Sequence, residues 1–74
     1  MGKGFPTHTK DINGKTIKLG DFVQYDFKGD NSVFEVVFED NAFRKSYKNW
    51  DLTLPKPVLE CGDFALKMRL KIVG

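Results

Sequence analysis

The 74-residue chain has little of what most enzyme and metal chemistry requires, with one cysteine and one histidine. Cys61 has no second cysteine for an intrachain disulfide, and Cys61 with His8 falls short of the roughly three or four protein ligands of a typical zinc site. A chain without disulfides is typical of a reducing compartment. We therefore expect a cytoplasmic protein that holds no metal and no other cofactor.

Long apolar runs and nucleotide-binding motifs are missing too. No run approaches the roughly 20 residues of a membrane-spanning helix, so we expect no membrane partner. The chain has no glycine-rich phosphate loop of the Gly-x-Gly-x-x-Gly or Walker type. The net charge of +2 gives no overall argument for a polyanionic partner.

The sequence does not contain a set of side chains that is suited to catalysis. A cysteine nucleophile needs a base within hydrogen-bond reach, and His8 lies in a predicted arm far from Cys61 in the sequence. Carboxylates such as those of Asp26 and Asp30 fall at predicted strand ends and turns, where aspartate is favoured for backbone reasons. The sequence thus predicts that the protein is not an enzyme.

Aromatic residues are plentiful, and apolar and polar residues alternate with the period of two that is typical of β-strands. Turn-forming residues separate four such stretches, which are residues 20–27, 33–40, 43–50 and 65–74. The inward side chains predicted for the first two are Val23, Tyr25, Phe27, Phe34, Val36 and Phe38. Phe22 and Val33 fall on the opposite, outward sides.

The pair Asn13-Gly14 predicts a type I′ turn in a small hairpin over residues 10–18. Residues 1–9 lack any periodicity and indicate a flexible N-terminal arm, which leaves residues 10–74 as a single domain. No stretch shows a sustained helical period. The sequence therefore predicts an all-β fold, either a small SH3-like barrel or a rolled antiparallel sheet of about five strands.

The stretch "KDINGKTIKLGDFVQYDF", followed by "FEVVFEDNAFR" and a final "LKIVG", resembles the YopX-like family of small phage and prophage proteins. The positions that match the first part of the family pattern are Lys10, Asp11, Asn13, Gly14, Lys15, Ile17, Gly20, Asp21 and Val23. The resemblance implies an SH3-like or closely related β-barrel, encoded by a mobile element in a bacterial host cell. It implies no catalytic residues.

Basic residues are concentrated in two late segments. Residues 43–50 interleave cations with aromatic side chains, as small β-barrels that bind single-stranded nucleic acid do. Alternatively, Phe43 and Tyr47 fill the core, and neighbouring acidic strands neutralise the cations through Glu35 or Glu39. The basic row of the last predicted strand either discourages edge pairing or joins the first patch. The candidate binding surface comprises Arg44, Lys45, Tyr47, Lys48, Trp50, Lys67, Arg69 and Lys71.

The preferred functional hypothesis is a non-enzymatic binding module that recognises a host or phage protein. The first alternative is a nucleic-acid-binding β-barrel that uses residues 43–50. The second is a homo-oligomeric structural or assembly component that pairs through an exposed edge strand, because the chain ends at Gly74 where members of the family usually continue. The sequence leaves the identity of the partner and the oligomeric state open.

Overall fold

The computed structural model describes residues 4–29 and 32–73. Within these residues the chain forms six strands and one short helix, in the order β1 (Pro6–Lys10), β2 (Thr16–Lys18), β3 (Phe22–Tyr25), β4 (Val33–Glu39), β5 (Ala42–Tyr47), α1 (Gly62–Lys67) and β6 (Leu70–Ile72). β1 and β2 form one antiparallel pair, and the other four strands form an antiparallel sheet in the order β5-β4-β3-β6. The all-β prediction is confirmed. Over the described residues the two sheets do not close into one barrel.

The hydrophobic core lies against one face of the four-stranded sheet. Val23 of β3 pairs in register with Phe34 of β4, and both side chains are buried. Tyr25 and Val36 lie two residues further along their strands and are buried as well, as the strand period requires. These four inward positions are confirmed. The core is completed by Ile17, Leu59, Ala65 and Leu70.

Two phenylalanines predicted to face inward lie at the rim instead. Phe27 lies two residues beyond the end of β3 and is exposed. Phe38 is also exposed, and its ring contacts that of Phe43 edge-on with the centroids 5.2 Å apart. The prediction was wrong for Phe27 and Phe38 because both lie at strand ends, past the buried middle of the sheet.

The tight turn between β4 and β5 is formed by Asp40 and Asn41, whose φ angles are 53° and 62°. Positive φ at both central residues is the mark of a type I′ turn, and the strand ends on either side are paired directly. The sequence predicted this turn type at Asn13-Gly14. There only Gly14 has a positive φ, of 80°. The predicted β1–β2 hairpin is present, but its predicted turn type was wrong.

A buried aspartate organises the turn between β1 and β2. Asp11 is only 1% exposed. Its Oδ1 accepts hydrogen bonds from the backbone N–H groups of Asn13 at 3.0 Å and Lys15 at 2.9 Å. Its Oδ2 accepts a hydrogen bond at 3.2 Å from the N–H of Ile72 on β6. The carboxylate therefore closes the turn and ties the β1–β2 pair to the four-stranded sheet.

Replacing Gly14 with valine is expected to lower the free energy of unfolding by about 1–2 kcal/mol, because a side chain with a Cβ is strained at this positive φ. A Cβ at Gly14 would meet no other atom within 4 Å, so the cost comes from the backbone alone. Urea unfolding measures the change. Gly14→Asn is the matched variant and should cost less, since asparagine tolerates this conformation. An unchanged midpoint for Gly14→Val would contradict this account of the turn.

Both edges of the four-stranded sheet carry backbone hydrogen bonds to other segments. Residues 57–59 run along β5, with a bridge between Arg44 and Val58 and hydrogen bonds on either side of it. At the β6 edge the Ile12 N–H donates to the Leu70 carbonyl at 2.8 Å. Residues 57–59 thus cover β5, and Ile12 covers β6 at Leu70.

The stretch 65–74, predicted as one strand, contains the end of α1 and all of β6. Alanine, leucine and lysine are strong helix formers, and Ala65 packs into the core on the inner side of the helix. The Met68 N–H donates to the Phe64 carbonyl at 3.0 Å, and Arg69 follows with a φ of 56° that ends the helix. The prediction was wrong up to Arg69 because a period of two over so few residues does not exclude a short helix.

Residues 6–9, predicted as part of a flexible arm, belong to β1. Thr7 and Thr9 are buried, and the Thr7 hydroxyl donates to the Ile17 carbonyl at 2.7 Å. The arm prediction was wrong for these residues because buried threonines replaced the apolar alternation that would have indicated a strand. Residues 1–3 of the predicted arm lie outside the described residues.

Candidate functional site

Lys45, a member of the predicted surface, lies in the middle of β5 and is only 8% exposed. Its Nζ lies 3.1 Å from both carboxylate oxygens of Glu60 and donates to the Tyr25 hydroxyl at 2.7 Å. It also lies over the aromatic rings of Tyr25 and Phe34, 5.4 Å and 6.0 Å from their centroids. Lys45 is therefore not a surface residue. Its burial depends on a carboxylate 15 residues further along the chain.

The Lys45 cluster consists of Lys45, Glu60 and Tyr25. The Tyr25 hydroxyl donates to Glu60 Oε2 at 2.8 Å. Burial, with further contributions from hydrogen bonds to Tyr47 and Glu60, raises the pKa of Tyr25 far above its usual value. Tyr25 therefore stays protonated and remains a donor at physiological pH. The charges of Lys45 and Glu60 are paired in the core, and the cluster therefore holds the segment at Glu60 against the sheet.

The guanidinium of half-buried Arg44 donates its hydrogen bonds to other parts of the chain. Its Nε donates to the Glu39 carbonyl at 2.9 Å, and one terminal nitrogen donates to the Lys56 carbonyl at 2.7 Å. Glu39 forms its ion pair with Lys56, at 3.0 Å. One of the two interpretations of the sequence placed Glu35 or Glu39 within reach of Arg44 or Lys45. The group of Glu39 that Arg44 contacts is instead the backbone carbonyl, and the Lys56 carbonyl is the second acceptor for Arg44.

The three basic residues of the last predicted strand do not form a row. Lys67 ends α1, Arg69 lies in the turn after it, and Lys71 lies on β6. Arg69 pairs with Asp26, its terminal nitrogen 3.2 Å from the carboxylate. A helix, a turn and a strand carry these three residues, and β6 lies at the opposite edge of the sheet from β5, so the last predicted strand is not adjacent to residues 43–47.

The solvent-facing side of the four-stranded sheet carries an apolar patch. Phe22 of β3 is 46% exposed and Val33 of β4 is 39% exposed. Phe22 is opposite Glu35 in the register, whereas Val33 is opposite Gln24, so Phe22 and Val33 are diagonal neighbours, a spacing of roughly 7–8 Å. A cleft of about 370 Å³ lies over them. We call the surface that lines this cleft the outer sheet face: Phe22, Val33, Glu35, Ser46 and Lys48.

A second cleft, of about 460 Å³, adjoins the outer sheet face and shares Val33 and Lys48 with it. Tyr47 and Trp50 line this second cleft, with their ring centroids 6.1 Å apart. The indole N–H of Trp50 donates to the Leu54 carbonyl at 3.3 Å, which fixes the ring beside the opening. Of the predicted residues, Tyr47, Lys48 and Trp50 are thus brought together.

Phe22 and Val33 were not among the predicted surface residues, although the sequence placed both on the outward sides of their strands. The sequence did contain a signal for these two residues, because a large apolar side chain on the polar side of an alternating strand has no core to enter. Glu60 and Asp11 gave no such signal. Their roles depend on contacts between residues far apart in the sequence.

Across residues 4–29 and 32–73, no group of three or more histidine, cysteine, aspartate or glutamate residues is placed to hold a metal ion. In that same part of the chain, no helix has both the length and the apolar character needed to cross a membrane.

Comparison of the chain with protein-family models, with curated proteins and with solved structures gives no match. The YopX-like resemblance stays a prediction that rests on the motif residues between Lys10 and Val23.

Proposed function

We propose that this protein is a non-enzymatic binding module that docks a partner protein on its outer sheet face. The exposure of Phe22 beside Val33 carries the proposal, because the opposite side of the same strands already holds the core. A contiguous apolar patch rimmed by polar residues is the usual mark of a protein contact. The adjoining Trp50 is of a residue type often found as an interface anchor, whereas Tyr47 packs against the core beside Phe34.

Charges around the patch indicate the chemistry of the partner. Lys48 borders Val33 in both clefts, and Lys71 lies beyond Gln24 in the same cross-strand row. Among the described residues neither lysine has an ion-pair partner. The segment that fits this surface places apolar side chains over Phe22 and Val33 and carboxylates near the two lysines.

The nucleic-acid alternative has less support. Arg44 donates to two backbone carbonyls and Lys45 is buried against Glu60, which leaves Lys48 as the cation that segment 43–50 presents at a cleft. Single-strand binding combines a continuous cationic groove with aromatic platforms. At this surface Lys48 and Trp50 are present, but Tyr47 packs against the core beside Phe34.

The homo-oligomer alternative has less support as well. It requires an exposed edge strand, and in the four-stranded sheet the edge strands β5 and β6 already have backbone partners in residues 57–59 and in Ile12. The biological setting belongs to the same proposal: a cytoplasmic phage or prophage protein in a bacterial cell, on the basis of the motif between Lys10 and Val23.

Replacing Phe22 with serine is expected to weaken partner binding by about 2 kcal/mol, roughly thirtyfold, because an exposed aromatic anchor is lost while the core stays intact. With a photo-crosslinking amino acid in place of Ser46, the wild-type background should yield a discrete protein adduct in bacterial lysate. The adduct should be lost with Phe22→Ser.

Phe64→Ser is the matched control, since Phe64 is an exposed phenylalanine on α1 and does not line either cleft of the sheet. This variant should keep the adduct. Equal loss with both variants, or the absence of any adduct together with steeply salt-dependent oligonucleotide binding, would contradict the proposal and favour a nucleic-acid ligand. A molecular mass in solution that rises with protein concentration would favour the homo-oligomer.

A further inference from the structure

We propose a second binding site, for a small carboxylate with an apolar body, in the cleft between β1, the turn after it and α1. The cleft has a volume of about 430 Å³, within the usual range of small-ligand sites. It shares no residue with the outer sheet face, so the inference goes beyond the proposed function. Its lining residues include His8, Lys10, Asp11, Ile12, Gly62 and Leu66.

One wall of this cleft presents two nitrogen-bearing side chains. His8 and Lys10 are both exposed and both line the cleft from β1. Within the part of the chain that the structure describes, neither ammonium nor imidazole has a hydrogen-bond or ion-pair partner. A carboxylate between them would accept charge-assisted hydrogen bonds, which are shorter and stronger than neutral ones.

The backbone is distorted where it presents His8. The register between β1 and β2 shifts between Pro6 and Thr9, and His8 has a φ of 63°, which is unusual for a residue with a side chain. Thr7 supports the distortion, since its hydroxyl accepts a hydrogen bond from the Thr9 N–H at 3.2 Å. Bulges of this kind redirect a side chain, and the redirected side chain here is the single histidine of the chain.

The remaining walls are mainly apolar. Ile12 and Leu66 contribute aliphatic surface, and Leu66 is 51% exposed. Gly62 leaves space, because a Cβ there would meet no atom within 4 Å. Asp11 is the acidic member of the lining, and its carboxylate is occupied by three backbone N–H groups. A cationic edge with apolar walls fits an anion that carries an apolar body.

An NMR titration of the full chain with 4-phenylbutyrate tests the site, with neutral 4-phenylbutanamide as the matched probe. We expect saturable shifts of the amides of residues 8–14 and 62–66 with the acid, and at least about tenfold weaker binding of the amide. Lys10→Ala should weaken binding of the acid about tenfold. Lys67→Ala removes a lysine from the neighbouring helix that does not line the cleft, and should leave binding unchanged.

Equal binding of the acid and the amide, or no saturable shift with either, would overturn the proposal. The source of the carboxylate is resolved by acetyl-Gly-Gly-Phe with a free and with an amidated C-terminus. Tighter binding of the free-acid peptide than of phenylbutyrate identifies a chain terminus as the ligand, and the reverse identifies a free acid. Crosslinking at the outer sheet face is independent of all these results.

His8→Gly gives a readout that a merely structural role would not produce. Glycine adopts the φ of 63° without strain, so we expect the melting temperature to rise by about 4 °C. The same variant removes a donor, so binding of 4-phenylbutyrate should fall at least about threefold. A more stable protein that binds less well supports the site. A variant that binds the acid as tightly as the wild type would remove His8 from it.

Discussion

Replacing Lys45 with methionine is expected to lower the free energy of unfolding by about 3–5 kcal/mol, because Glu60 would keep a buried charge without its partner. The Lys45 and Glu60 side chains are 11% and 7% exposed and lie 3.1 Å apart. Methionine has a similar length and fills the space, so the loss reports the charge and not a cavity. Urea unfolding monitored by the fluorescence of Trp50 measures it.

The control removes the whole cluster. In the triple variant Lys45→Met, Glu60→Leu and Tyr25→Phe, neither charge of the Lys45 cluster remains, and we expect stability to return to within about 1–2 kcal/mol of the wild type. Recovery would show that the loss in the single variant comes from the orphaned carboxylate. A single variant as stable as the wild type would mean that Glu60 reaches solvent when Lys45 is absent, and would refute the account of the cluster.

Asp11→Ala has the second largest expected effect, a loss of about 3 kcal/mol, because three backbone N–H groups lose the acceptor that the buried Asp11 carboxylate provides. The loss should be accompanied by faster amide hydrogen exchange at Asn13, Lys15 and Ile72, the three donors. Exchange at Ile72 is the more informative measurement, since Ile72 lies far from Asp11 in the sequence and belongs to the other sheet.

Asp11→Asn is the matched variant for this site. The asparagine oxygen can still accept from Asn13 and Lys15, but its amide nitrogen would face the Ile72 N–H, donor against donor. We expect an intermediate loss of about 1–2 kcal/mol, with protection kept at Asn13 and Lys15 and lost at Ile72. If Asp11→Ala and Asp11→Asn were both as stable as the wild type, the carboxylate would not be what joins the two sheets.

Much of the four-stranded sheet was predictable from the sequence. The alternation around Val23 and Phe34 specifies which side of each strand is buried, because a one-residue shift would expose every apolar side chain. The hairpin over residues 10–18 was predictable from Asn13-Gly14, although its turn type depends on Asp11. Helix α1 was not, since Ala65 and Leu66 satisfy a strand pattern and a helix equally well over so few residues.

The candidate site was predictable only in part. Lys48 and Trp50 were recognised from the mixture of cations and aromatics, whereas Phe22 was placed on the outward side and not weighed as a contact. The local sequence around Lys45 indicates a surface cation, because the carboxylate that pairs with it in the core comes from a loop after β5. Contacts of that kind arise from tertiary packing, and no local pattern encodes them.

The segments that cover the two sheet edges also affect the tendency of this protein to aggregate. Residues 57–59 remain on β5 because the Lys45 cluster holds the adjoining Glu60, and Ile12 remains on β6 because Asp11 closes the turn beside it. Loss of either cover leaves a row of unpaired N–H and C=O groups, which is a template for another chain. Two buried carboxylates thus protect the domain from aggregation as well as from unfolding.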